Sequence, residues 1–330
     1  MLNENTQIKD LKIDRKIADG GMGEIFLGKC DFLVNDEAHS RQVVFKRMKK
    51  RNNQAKYFQK NHLVQEAQKY MFLRHENFPK CYGIYSKFPY EYLILEHVNG
   101  YSLREILNYV WSKQDKLEET FIIYVWIEVI KSLIALNNIS YKGLGIIHRD
   151  ITPHNIMVSM DGKIKLIDFG ISVFYEKKYV HENRFIAGKP LYMSPEQSSY
   201  SDIDLRSDIY SLSITMYEAL SRIPLIKKYC DLSFQKDEII LGLKKDSDIS
   251  LKCKRILKKG LSIEKNKRFS SPKEMHKRII HDFGFVNRRA IFPYLNLLLK
   301  EMESKNGILK ELDDEKTTLN FYFTEGQEKR

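Results

Sequence analysis

Several classes of protein are excluded by what this chain of 330 residues lacks. It has only four cysteines, at 30, 81, 230 and 253, with no Cys-x-x-Cys pair and no close grouping with histidine. A zinc site or a disulfide framework is therefore not expected, and a reducing cytoplasm is the natural compartment. The N-terminus has no basic stretch leading into an apolar run, which predicts no signal peptide. The most apolar segment, Phe121 to Leu136, is short for a bilayer span and contains Glu128 and Lys131, so it reads as a buried helix and not as a membrane anchor. No internal repeat, low-complexity tract or GxxxxGK[ST] phosphate loop occurs.

Acidic charge is also in short supply. Lys and Arg number 55 against 43 Asp and Glu, a formal net charge of +12. Basic residues crowd Lys46–Arg51 and Lys252–Lys259, but no RNP-like aromatic signature, zinc finger or glycine-rich repeat accompanies them. They read as solvated faces, and a nucleic-acid partner is not expected. With 43% hydrophobic and 30% charged residues, the chain has enough apolar material to bury a core.

The first hundred residues alternate apolar and polar in short runs, predicting strands at Leu11–Ile17, Glu24–Leu27, Gln42–Lys46, Cys81–Ser86 and Tyr92–Glu96. A helix is expected over Lys56–Phe72, with Leu63, Ala67 and Tyr70 on one face. From Gly100 onward the pattern turns helical. Ser102-Leu-Arg-Glu105 is a capping box, and helices are expected at Glu118–Asn137, Ile203–Leu220, Asp237–Leu243 and Leu251–Lys259. Ile156–Val158 and Lys163–Ile167 flank the turn Met160-Asp-Gly162 as a hairpin. Ala290–Met302 reads as one apolar helix in need of a partner surface.

The chemistry concentrates in a few motifs. Gly145-Ile-Ile-His-Arg-Asp150-Ile-Thr-Pro-His-Asn155 is followed by Asp168-Phe-Gly170. Two carboxylates and an amide are hard oxygen donors suited to Mg²⁺. Upstream, Ala18-Asp-Gly20-Gly21-Met-Gly23-Glu-Ile25 joins the first two strands, and its glycines permit a tight turn and close backbone approach. Lys46 ends the third strand, and Glu66 lies twenty residues on in the following helix. Farther along stand Gly188-Lys189, Ser194-Pro-Glu196, Asp208 and Arg268.

Together these motifs resemble a eukaryotic-like protein kinase of the bacterial Ser/Thr type, over about residues 8–280. The resemblance implies an α+β, two-lobed fold. A five-stranded N-lobe sheet with one helix (8–97) is expected to precede a mostly helical C-lobe (98–280), and the extension 281–330 should be helical, then loosely ordered. It implies ATP as cofactor with Mg²⁺, or alternatively Mn²⁺, and a protein substrate of unknown identity, with no membrane partner. Asp150 would be the base, Lys46 the phosphate-contacting lysine, Glu66 its ion-pair partner, and Asn155 and Asp168 the metal ligands. Ala18, Gly20, Gly21, Gly23, Ile25, Val44, Lys46, Glu96, Val98 and Met157 would surround the nucleotide. Glu196 would pair with Arg268, and Asp208 would tie down the catalytic loop.

Two departures from the family pattern stand out. Ala18 replaces the first loop glycine. Thr152 occupies the place of a lysine usual two residues after the catalytic Asp, while Lys189 follows Gly188 where a threonine is usual. Lys189 is therefore a candidate to return the missing cation from the facing loop. Between Gly170 and Ser194 there is no threonine, and the hydroxyls are Ser172, Tyr175, Tyr179 and Tyr192. Glu176 and Glu182 could supply permanent negative charge instead, so activity without a phosphorylated serine or threonine there is expected. A pseudokinase acting as a nucleotide- or protein-binding module is the alternative reading. A small-molecule phosphotransferase is disfavoured by Ser194-Pro-Glu196, and a tyrosine-specific kinase is left open by Thr152.

Overall fold

Alternation in the first hundred residues becomes a five-stranded antiparallel sheet in the computed structural model. It describes residues 6–19, 23–34, 37–48, 55–87, 90–139, 144–176, 188–199, 201–221, 225, 242–243 and 245–305. Strands β1 (Thr6–Asp19), β2 (Gly23–Val34), β3 (Glu37–Met48), β4 (Cys81–Lys87) and β5 (Tyr90–Glu96) lie in the order β1-β2-β3-β5-β4. Period-two alternation sends neighbouring side chains to opposite faces. Val43 and Phe45 of β3 join Leu11, Cys30, Phe32, Tyr92 and Ile94 in one apolar cluster. Val44 and Lys46 consequently share the other face, toward helix α1 (Ala55–Phe72) and the cleft.

Helix α1 packs by a stripe that is only partly apolar. Leu63 and Tyr70 are buried as the spacing predicts, but so are Glu66 and Lys69 on the same side. Those two charges explain why hydrophobic periodicity is weak here. The helix is amphipathic in burial and not in composition.

The C-lobe begins with β6 (Gly100–Ser102) and α2 (Leu103–Ser112). The predicted capping box is formed: the Ser102 hydroxyl accepts from Glu105 N–H, and the Glu105 carboxylate accepts from Ser102 N–H at 2.7 Å. Helices α3 (Glu119–Asn137) and α5 (Leu205–Ser221) are buried on nearly every side, which makes them the lobe's interior. No helix among the described residues is long and apolar enough to cross a membrane. Strands β8 (Ile156–Ser159) and β9 (Ile164–Leu166) form the predicted hairpin and β8 also pairs with β6, while β7 (Leu144–Ile147) pairs with β10 (Val173–Glu176). The short α4 (Pro195–Ser198) precedes α5, and helices Leu251–Gly260 and Pro272–Phe283 follow it. Of the helix expected at Asp237–Leu243, all but 242–243 lies outside the described residues.

A last helix spans 288–305. The partner surface it needed is the C-lobe itself. Ile291, Leu295, Leu298, Leu299 and Met302 enter the same core cluster as α3, and Tyr294 packs on Phe121 with ring centroids 6.1 Å apart. The core thus continues well past residue 280, where the sequence reading ends the domain. Residues 306–330 lie outside the described residues.

Candidate active site

Lys46 is the hub of the cleft. It stands on β3 opposite Leu93 of β5, and its Nζ donates to both Glu66 oxygens at 2.9 Å and to Asp168 Oδ1 at 2.7 Å. These three groups come from a strand, a helix and a turn after β9. Burial alone would lower the Lys46 ammonium, but Asp168 and Glu66 outweigh it and hold it above the ordinary lysine range. Burial raises the Glu66 carboxyl, with Lys46 opposing. Burial would also raise Asp168, but the charge and hydrogen bond of Lys46 bring it down to about 2, so it is ionised at neutral pH.

The Asp168 side chain is 38% exposed. Its backbone has φ +65°, in the left-handed region that non-glycine residues rarely occupy. Gly170 sits against the charged cluster. A Cβ there would lie 3.1 Å from both Asp168 Oδ1 and Lys46 Nζ, so a side chain would wedge between them.

The loop from His148 to Asn155 is held from below. Asp208 of α5 accepts from His148 N–H at 2.8 Å and from Arg149 N–H at 2.9 Å, and Thr215 Oγ1 donates to Ile151 O. His148 is fully buried and its imidazole is pushed down to about 4 by that burial, hence neutral. Because His148 Nδ1 accepts from Asp150 N–H, its Nε2 carries the proton toward Ile167 O, 3.2 Å away. Asn155 Nδ2 donates to Asp150 Oδ2 at 2.7 Å and to Asp150 O at 2.9 Å, so these two bonds do not use its Oδ1. The Asn155 amide oxygen and the ionised Asp168 carboxylate are both hard donors, a set whose chemistry fits a hard divalent cation.

Lys189 closes the loop from the opposite side. Its N–H donates to Asp150 Oδ1 at 3.2 Å, and its Nζ lies 3.4 Å from Oγ1 of the buried Thr152. Burial lowers the Lys189 ammonium, with Asp150 and Asp168 opposing. The preceding Gly188 has φ +117°, and a Cβ there would lie 2.8 Å from Arg149 O, so glycine is required on both counts. Gln197 Nε2 also donates to Arg149 O at 3.1 Å, and Glu196 forms a two-pronged pair with Arg268 at 2.7 and 2.8 Å.

The described positions expected to surround the nucleotide lie on or beside β1, β2, β3, β5 and β8. Ala18 pairs with Ile25 across the β1–β2 hairpin, and Ile25 pairs with Lys46. Gly23 opens β2, whereas Gly20 and Gly21 lie outside the described residues. Val44, Val98 and Met157 are buried or half-buried on β3, after β5 and on β8. The Glu96 carboxylate is taken by Lys165 Nζ at 3.0 Å and Lys80 N–H at 2.9 Å, and its own N–H donates to Lys80 O at 2.8 Å. Ser172, Tyr175 and Tyr192 are all buried and hydrogen-bonded, Ser172 to Phe169 O, Tyr175 to Asn137 and Tyr192 to Glu218. Tyr179 and Glu182 lie outside the described residues, and of Glu176 only the backbone is described.

Reading the motifs did not single out Lys69. Its Nζ donates to Phe169 O at 3.0 Å, and burial brings its ammonium down to about 8. The available signal was a lysine three residues after Glu66 on the inward stripe of α1. Nor did the motifs show the edge-to-face ring contacts of Phe169, whose neighbours are His148 at 4.8 Å, Tyr70 at 5.1 Å and Phe78 at 5.6 Å.

Residues 11–283 match the family model described as "Protein kinase domain", and the chain belongs to that family. It is 29% identical over 222 residues to the tyrosine-protein kinase MasK of Myxococcus xanthus, covering 66% of this chain and 34% of that protein. It is 25% identical over 294 residues to the serine/threonine-protein kinase PknD of Chlamydia muridarum, covering 80% and 30%. A probable serine/threonine-protein kinase of Clostridium acetobutylicum is 31% identical over 214 residues, covering 64% and 30%. The chain thus spans about a third of the length of these curated relatives.

Proposed function

We propose that the protein is an ATP-dependent kinase that transfers the γ-phosphoryl group to serine or threonine hydroxyls of protein substrates. The observation that carries this is the convergence of Lys46, Glu66 and Asp168 in one buried cluster opposite Asp150 and Asn155. ATP would lie beside the segment that joins β1 to β2, with Ala18, Gly20, Gly21 and Gly23 near its phosphates. Its base would sit between Ile25 and Val44 above and Met157 below, against the main chain of Glu96 to Val98. Lys46 would contact the phosphates, aimed by Glu66. Asn155 and Asp168 would hold Mg²⁺ or Mn²⁺, which when bound offsets the charge of the phosphates.

Asp150 would orient the substrate hydroxyl and take its proton. A new P–O bond forms to the substrate oxygen as the bond from γ-phosphorus to the β-bridging oxygen breaks, and ADP leaves. Lys189 would supply a cation beside the transferring group in place of the lysine absent at 152. The compartment would be the cytoplasm.

The test is to incubate purified protein and Asp168→Ala with labelled ATP, Mg²⁺ and an acceptor protein, then analyse the phosphoamino acids. Phosphoserine or phosphothreonine from the wild type alone is the expected result. Transfer by neither protein would instead favour a binding module on the kinase fold. Phosphotyrosine would favour a second reading, motivated by Thr152 and by the tyrosine-protein kinase among the relatives.

A further inference from the structure

Helix α1 turns two charged side chains inward. Glu66 and Lys69 are three residues apart, so they are neighbours on one side of the helix, and both are buried. Glu66 reaches Lys46 on β3. Lys69 reaches a different element: its Nζ donates at 3.0 Å to the main-chain carbonyl of Phe169. That carbonyl also accepts from Ser172 Oγ at 2.8 Å and Ser172 N–H at 3.3 Å.

An ammonium in such a place calls for an explanation. Lysine is strongly hydrated, and taking its charge out of water is costly. An apolar residue at 69 would continue the stripe of Leu63 and Tyr70 without that cost. The turn it contacts needs support, because Asp168 occupies the left-handed backbone region, a conformation that persists only when its surroundings enforce it. Glu66 and Asp168 flank Lys69 with negative charge, while Lys46 and Arg149 repel it.

The contacts close a ring. Asp168 Oδ1 meets Lys46, Lys46 meets Glu66, and Glu66 is joined through α1 to Lys69, which returns to the turn carrying Asp168. We propose that Lys69 is a positioning residue: by binding the Phe169 carbonyl it holds the Asp168 turn against α1, so that Glu66 and Asp168 reach Lys46 together. This rests on the phosphoryl-transfer reading above. Lys69 itself touches neither nucleotide nor substrate, and it acts through Asp168.

Lys69→Met keeps the length of the side chain but removes its charge and its donors. The full chain is assayed with casein as acceptor while ATP and Mg²⁺ are varied. With the turn loosened, kcat should fall about tenfold and the Mg²⁺ concentration for half-maximal rate should rise about threefold or more, while KM for casein stays within about twofold. The melting temperature should stay close to that of the wild type. In Glu66→Gln/Lys69→Met the two losses should overlap, because each breaks the same ring.

Wild-type kcat and Mg²⁺ dependence in Lys69→Met would overturn the proposal. So would a fall in kcat with Mg²⁺ dependence unchanged, or losses that multiply fully in the double variant. Should Lys69→Met fail to fold, Lys69→Leu is measured against the same criteria. Asp168→Ala is carried alongside. If the wild type is as inactive as Asp168→Ala, the phosphoryl-transfer reading itself fails; if the wild type is active and Lys69→Met matches it, only the role of Lys69 does.

Discussion

Thr152 and Lys189 hold exchanged residue types at facing positions, and the structure brings Lys189 Nζ to 3.4 Å from Thr152 Oγ1 beside Asp150. A fixed cation stabilises charge developing on a transferring group whichever loop presents it, provided it reaches the site. Lys189→Ala should therefore lower kcat/KM by about 10²-fold, the scale seen when one preorganised donor is removed. Thr152→Lys combined with Lys189→Thr should recover much of what either single change loses. An Ala variant with unchanged kcat/KM would sink the relocation idea. Both residue types are legible in the sequence as departures from a motif. Their proximity is not, because 37 residues separate them and nothing local encodes the contact.

Among the elements, the segment from Gly188 to Ser199 is fastened at several points. Ser194 caps α4, and Glu196 accepts from Arg268 through both oxygens and from Ser207 Oγ at 2.7 Å. Burial alone would raise the Glu196 carboxyl, but the Arg268 hydrogen bonds hold it below its ordinary 4.5. A carboxylate depressed in the folded state contributes stability that is present above about 4.5 and lost as pH falls below it. The stability of the wild type to chemical denaturant should accordingly fall on acidification through that range, and that of Glu196→Gln should fall less. Arg268→Ala leaves the carboxylate buried and unpaired, and should cost about 3–5 kcal/mol. A loss under about 1 kcal/mol would mean that the pair is as dispensable as an exposed one. The Glu196–Arg268 partnership was legible as a motif resemblance. Its support by Ser207 and by Gln197 to Arg149 O was not, because serine and glutamine on a helix carry no periodic signal.

For the molecule as a whole, the C-terminal helix extends the kinase core beyond the matched residues 11–283. Leu295 and Leu299 are completely buried, whereas Glu301 meets Lys113 at an exposed surface. Leu295→Ala should cost about 2–5 kcal/mol in urea unfolding, and Glu301→Ala at most about 1 kcal/mol. Equal and small effects would show that the helix is an appendage and not part of the fold. By itself the sequence determined the strands, most of the helices and the candidate residues for the chemistry. Alternation, caps and short motifs such as His148 to Asn155 are local, and the backbone obeys them locally. The tertiary structure alone decided which distant groups meet: Lys46 with Asp168 across 122 residues, Lys69 with Phe169 across 100, and the last helix with α3. Polar side chains sent into the interior leave no hydrophobic period behind them, and only the packed chain supplies the partners that make their burial tolerable.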